Sequence, residues 1–221
     1  MRYGGWLLSV VAVALLLAVA CEGQKAGPTS TPVATPTPTP SATPTPSVGK
    51  KVVMVIAPQD FRDEEFSQPR AILQEKGITV VVASTTRDSA RGMLGLTVKP
   101  DIIIPEIDVA AYDAIVVVGG TGSQQFLWDN EALRKVVQGA RAQGKVVAAI
   151  CMSPVVLARA GVLQGQKSTV FPSAETIEEL RKGGAIYEDS QVVVSGAVIT
   201  GRGPEAARDF GYALADKLAG R

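Results

Sequence analysis

Four short runs of apolar, mostly β-branched residues recur along the chain: KVVMVIA (51–57), ITVVVAS (78–84), DAIVVVGG (113–120) and KVVAAIC (145–151). None alternates polar with apolar positions, so each reads as a strand buried on both faces. Helical spacing falls between them. Ile72, Leu73 and Lys76 follow Pro69, and Leu133, Val136, Val137 and Ala140 form one apolar stripe. Strands alternating with helices predict an α/β fold, a parallel sheet with helices on both faces.

The pattern continues after Cys151 with a helix over SPVVLARAG and another over SAETIEELRKGG, where Ser173 is the expected N-cap. Two short strands, QVVVSG and AVITG, precede a last helix. Pro204 suits its first turn, and Ala207, Phe210, Leu214 and Leu218 make its buried stripe. The segment MLGLTVKPDIIIP adds an edge hairpin or an excursion.

The first fifty residues follow different rules. Arg2 heads an apolar run from Trp6 to Val19 that ends in small residues and Cys21, the pattern of an export signal. As a helix, Gly5 to Ala20 would rise only about 24 Å, short of a hydrocarbon core of roughly 30 Å, so an uncleaved span is the weaker alternative. The LAVAC ending resembles a bacterial lipobox, with Ala18 where its usual leucine stands and Leu17 one place further out. That resemblance implies lipidation of Cys21 and anchoring on the extracytoplasmic side of a membrane. Residues 22–49 are dominated by Pro, Thr, Ser and Ala, too poor in large apolar groups to offset the entropy of ordering. They read as a disordered tether of roughly 80–90 Å if extended at about 3.1 Å per residue. The expected organisation is 1–21 signal segment, 22–49 linker and 50–221 globular domain.

Composition narrows the chemistry. A formal charge of +1 gives no basic field for nucleic acid, and no G-x-G-x-x-G follows the first strand, so neither a polyanion nor a dinucleotide is an expected partner. The chain has no histidine, which removes Ser-His and Cys-His nucleophiles and the common zinc sites; no cofactor or metal is expected. No internal disulfide is expected between Cys21 and Cys151.

In open α/β sheets the ligand crevice lies at the carboxyl ends of the strands, which singles out 60–65, 119–123, 151–154 and 201–204. Cys151 stands between a strand and a helix, the context of a nucleophile elbow, although free cysteine is also a common core filler. The segments FRDEEFSQP, VVVGG, AAICMSP, AGVLQGQKSTVFP and TGRGP occur in this order, and together they resemble the DJ-1/PfpI (ThiJ/PfpI) family from about Lys50 onward.

The resemblance implies a flavodoxin-like, class I glutamine amidotransferase-like fold, with Cys151 as the elbow thiol and Glu65 as the carboxyl touching it. Like-charge repulsion then places the proton on Glu65, and the reading expects a thiol of low pKa. Backbone N–H groups of Gly119, Gly120 and Met152 are candidates for holding an oxyanion or a sulfinate. Arg202 is a candidate cation beside the pocket, and Phe171 stands where some relatives carry histidine. Met152 stands where protease-like members carry theirs, which disfavours a cysteine peptidase. Two functions follow: a thiol-based redox or stress-response protein acting on an oxidant, the preferred reading, and a cofactor-free glyoxalase- or deglycase-type enzyme acting on reactive carbonyls. The family also implies a homodimer.

Overall fold

Strands without a polar face need cover on both sides, and this requirement organises the computed structural model, which describes residues 49–221. The signal, lipobox and linker expectations for 1–48 lie outside the described residues. In chain order the elements are β1 (Lys51–Val55), β2 (Gln59–Phe61), α1 (Asp63–Glu75), β3 (Thr79–Ser84), β4 (Ala90–Gly92), β5 (Thr97–Val98) and β6 (Ile102–Ile103). Then come β7 (Ala114–Val117), α2 (Thr121–Phe126), α3 (Glu131–Ala142), β8 (Val146–Ile150), α4 (Pro154–Arg159), β9 (Lys167–Ser168) and α5 (Ala174–Lys182). The chain closes with β10 (Ile186–Tyr187), β11 (Val192–Ser195), β12 (Val198–Gly201) and α6 (Ala207–Leu218).

The main sheet runs β11-β12-β8-β7-β1-β3-β6. Every pairing in it is parallel except β11 with β12. All residues of β7, β8 and β12 are buried, as is β1 after Lys51. The expected doubly covered α/β sheet is therefore observed, and it is flavodoxin-like. β12 joins the sheet beside β8, so the late TGRGP segment ends next to Cys151.

Caps and stripes follow the sequence closely. The Ser173 side chain accepts a hydrogen bond from the N–H of Thr176, starting α5. Ala207, Phe210, Leu214 and Leu218 are buried on α6. Pro204 belongs to a single 3-10 turn, Pro204–Ala206, that leads into α6.

Two details depart from expectation. The first helix does not begin after Pro69; it begins at Asp63 and runs through the proline. Pro69 has no N–H to give the Glu65 carbonyl, and the rest of the turn tolerates the loss because three acidic residues at its start suit the helix N-terminus. Glu65 consequently sits on a helix rather than a loop. The excursion at 90–98 is an antiparallel β4–β5 hairpin that pairs through β4 with β2, away from the main sheet, whereas Ile102–Ile103 supplies the sheet's edge strand.

Candidate functional site

At the end of β8 the backbone turns sharply, with Cys151 at φ 63°, in the left-handed region that costs a side-chain-bearing residue about 1–2 kcal/mol. The fold holds it there. The Cys151 N–H donates to the Gly201 carbonyl at 2.9 Å, and its own carbonyl accepts from the Phe171 N–H at 2.8 Å. One residue on, the Met152 carbonyl accepts from Trp128 Nε1 at 2.9 Å. Beneath the turn the buried Ser153 hydroxyl donates to the Val118 carbonyl at 2.7 Å, so Ser123 donates to Ser153, also at 2.7 Å. The elbow is thus pinned from β12, from 171 and from the loop after β7.

The opposing wall comes from α1. Glu65 projects from its first turn and is completely buried, with neither carboxyl oxygen in a hydrogen bond to any described residue. Its polar neighbours are the Cys151 sulfur and the Gly119 N–H. Burial, the largest effect, pushes the Glu65 carboxyl up to about 8, against the pull of Cys151 and the more distant Arg62. Near neutral pH the proton therefore sits mainly on Glu65, through desolvation and not through repulsion by a thiolate.

The thiol behaves differently from expectation. Cys151 is 7% exposed, and burial pushes its pKa up, not down. An ionised Glu65 raises it further, while the N–H groups of Gly120 and Met152 pull the other way. Once Glu65 holds its proton the repulsion disappears, and desolvation is opposed by the two N–H dipoles and by the carboxyl O–H, which can donate to a thiolate. The expected low thiol pKa is corrected on this physical ground: a strand-end turn deep in an apolar layer desolvates sulfur more than two amides compensate.

Glycine is structurally required between the two groups. A Cβ at Gly119 would collide with the Glu65 carboxyl and lie 2.5 Å from Cys151 Cβ. The expected trio of backbone donors divides its labour: Gly120 and Met152 face sulfur, whereas Gly119 faces Glu65.

Above the thiol opens a pocket of about 170 Å³ lined by Arg62, Met93, Gly120, Thr121, Cys151, Met152, Phe171 and Pro204. Phe171 is where the sequence reading put it. Arg202 is not part of this lining: its Nε donates to Asp189 at 2.8 Å, and Arg62 is the pocket's arginine instead. Arg62 lay inside the segment after the first strand that the crevice rule singles out, so its signal was present. Met93 had no comparable signal, because it arrives on the β4–β5 hairpin. That hairpin is seated by Asp63, whose carboxylate accepts from the N–H groups of Leu94 at 2.9 Å and Leu96 at 2.7 Å.

The DJ-1/PfpI family model matches residues 50–217. The chain belongs to the DJ-1/PfpI family. It is 53% identical over 161 residues to an uncharacterised protein of Methanocaldococcus jannaschii, covering 73% of this chain and 78% of that one. It is 32% identical to a protein of Pyrococcus abyssi named a deglycase, covering 69% and 90%. The crystal structure of a ThiJ/PfpI domain protein from Brachyspira murdochii superposes with a TM-score of 0.74 at 31% identity, covering 78% of this chain and 99% of that one.

Proposed function

We propose that this domain is a cofactor-free thiol enzyme acting on small reactive carbonyls, of glyoxalase or deglycase type. The observation that carries the reading is the buried Glu65 carboxyl, protonated near neutral pH, with the Cys151 sulfur and the Gly119 N–H as its polar neighbours. A carboxyl in that state can accept the thiol proton on one oxygen while giving its own from the other. The relatives named deglycases support this choice.

For an α-oxoaldehyde the steps balance without an external oxidant. Sulfur bonds to the aldehyde carbon, its proton passes through Glu65 to the carbonyl oxygen, and a hemithioacetal results. Glu65 then accepts the C1 proton on one oxygen while giving its own to the C2 carbonyl oxygen, which forms an enediol; it next returns a proton to the C2 carbon and takes the C1 hydroxyl proton, which leaves a thioester. Water breaks the S–C bond, releasing a 2-hydroxy acid and the thiol. The N–H groups of Gly120 and Met152, which face the sulfur, are the donors this reading assigns to the oxyanion. A pocket of about 170 Å³ suits a substrate of a few carbon atoms.

The redox reading takes second place. A sensor thiol is exposed and acidic, and this one is 7% exposed with its pKa raised. Display at a membrane through Cys21 and the Pro/Thr-rich tether remains part of the proposal, resting on the sequence of residues 1–49.

Full-length protein mixed with methylglyoxal is expected to form lactate, and Cys151→Ala to lower that rate by about a thousandfold or more. Absence of turnover in the wild type, together with a stable mass gain of two oxygen atoms on Cys151 under peroxide, would replace this reading with the redox one.

A further inference from the structure

The lining of the thiol pocket is mixed. Met93, Met152, Phe171 and Pro204 supply apolar groups, and Arg62 is the one charged side chain among the described residues that line it. Arg62 is held rigidly by its neighbour on the same turn. Its Nε donates to Glu64 Oε2 at 2.8 Å and its Nη2 to Glu64 Oε1 at 3.1 Å, a two-point pairing that occupies one edge of the guanidinium. The pairing keeps Arg62 charged, its pKa raised chiefly by the hydrogen bond to Glu64.

A guanidinium has five N–H donors arranged as a fork with more than one usable edge. Glu64 takes the Nε–Nη2 edge. Nη1 has no hydrogen-bond partner among the described residues, which leaves the Nη1–Nη2 edge for a second planar anion. Arg62 is also close enough to the reacting pair to feel the charges of both Glu65 and Cys151. Among the described residues no other cation lines this pocket, so an anionic group entering it has one charged partner there.

The geometry points to Arg62 as a specificity-determining residue that binds a carboxylate or phosphate carried by the substrate, which makes the preferred class an anionic α-oxoaldehyde. This inference rests on the carbonyl reading above for its chemistry but not for its geometry. The apolar groups take the carbon chain, the two sulfur-facing amides face the carbonyl oxygen, and Arg62 takes the charged end. Glu64 acts through Arg62 as a positioning residue, holding the fork without touching the substrate.

The test separates the two claims by using alkylation, which needs Cys151 but no glyoxalase activity. Iodoacetate and iodoacetamide carry the same leaving group and differ in charge. On the full-length protein, the ratio of their Cys151 alkylation rates, read by mass spectrometry of the Cys151 peptide, is compared among wild type, Arg62→Gln and Arg62→Lys. Taking a ratio within each variant cancels any general change in thiol reactivity. The expected result is a fall of about tenfold in the iodoacetate-to-iodoacetamide ratio for Arg62→Gln, with Arg62→Lys recovering only part of it because a point charge lacks the fork. A ratio unchanged in Arg62→Gln overturns the anion-binding role, and full recovery in Arg62→Lys overturns the two-point geometry. The same ratio is then taken for kcat/KM with 3-phosphooxy-2-oxopropanal against methylglyoxal. A shift in alkylation without any turnover sinks the carbonyl reading and leaves the anion site standing.

Discussion

The irregular turn within β2, soon after β1, and the turn after β8 both place a non-glycine residue in the left-handed region, Asp60 at φ 54° and Cys151 at φ 63°, and no other described non-glycine residue does so. Both turns reach toward the Gly119–Gly120 step. A Cβ at Gly120 would collide with the Asp60 carbonyl and lie 2.5 Å from the Arg62 N, just as one at Gly119 would collide with Glu65 and Cys151. The resemblance stops at burial. Asp60 is exposed at a mouth formed with Gln59 and the β4–β5 hairpin, whereas Cys151 is locked under two backbone hydrogen bonds in the layer that buries Glu65. One strained residue frames the entrance of that separate exposed cleft, and the other holds the reacting atom. The difference teaches that backbone strain alone does not mark a nucleophile; strain together with a buried, unpartnered acid does.

The largest way to sharpen this contrast is pH. Burial raises Glu65 from an ordinary 4.5 to about 8, so between those values the folded protein holds a proton that the unfolded chain has lost. The folded state binds more protons there, and stability falls as pH rises. The stabilisation is complete below about 4.5 and is lost by about 8, a span on the order of 4–5 kcal/mol. Glu65→Gln removes the titration while keeping the shape. Urea unfolding at pH 5, 6.5 and 8 is expected to show a declining wild type and a flatter variant, with the variant the more stable of the two at pH 8. Parallel declines would mean that Glu65 is not the group responsible.

Next in size is the glycine step. Gly119→Ala forces a methyl group between Glu65, Cys151 and the Ile150 carbonyl, and an overpacked site of that kind is expected to cost about 3 kcal/mol together with turnover. Gly95→Ala on the hairpin tip meets nothing within 4 Å and bears only its φ of +99°, so about 1 kcal/mol is expected. Thermal melts of the two variants check the order. A Gly119→Ala protein as stable as Gly95→Ala would show that the space between acid and thiol is not tight.

These contrasts also explain how far the sequence could be read. Runs such as KVVAAIC declare buried parallel strands because their chemistry admits no exposed face, and the stretches carrying the glycines and the cysteine were legible from their order around those strands, whereas Glu65 was singled out from RDEEF only by the resemblance to the DJ-1/PfpI family. The start of α1 was not, because Pro69 reads as a helix breaker unless the turn before it is known to be anchored. Arg202 and Arg62 are both arginines beside strand ends, and only the three-dimensional positions of Asp189 and Glu64 decide which one lines the pocket. Thiol acidity was misread for a similar reason. Helix-end dipoles can be inferred from sequence, but the depth of desolvation at Cys151 depends on how α1 and the β7–α2 loop close over it.

The smallest effect isolates the strain itself. At Asp60 an alanine must keep φ near 54° without the local hydrogen bonding that helps aspartate tolerate the left-handed region, whereas glycine adopts it freely. Asp60→Gly gains that freedom in the unfolded chain as well, which cancels part of the benefit. Asp60→Ala is therefore expected to be about 1 kcal/mol less stable than Asp60→Gly, with Asp60→Gly within about 0.5 kcal/mol of wild type. Chemical denaturation measures both differences. Cys151 alkylation should stay unchanged in Asp60→Gly, because the elbow's own hydrogen bonds to Gly201 and Phe171 do not pass through residue 60. A thiol that slows when only the outer turn is relaxed would show that the two turns share their strain through the Gly119–Gly120 step. The entrance would then be mechanically part of the nucleophile's support.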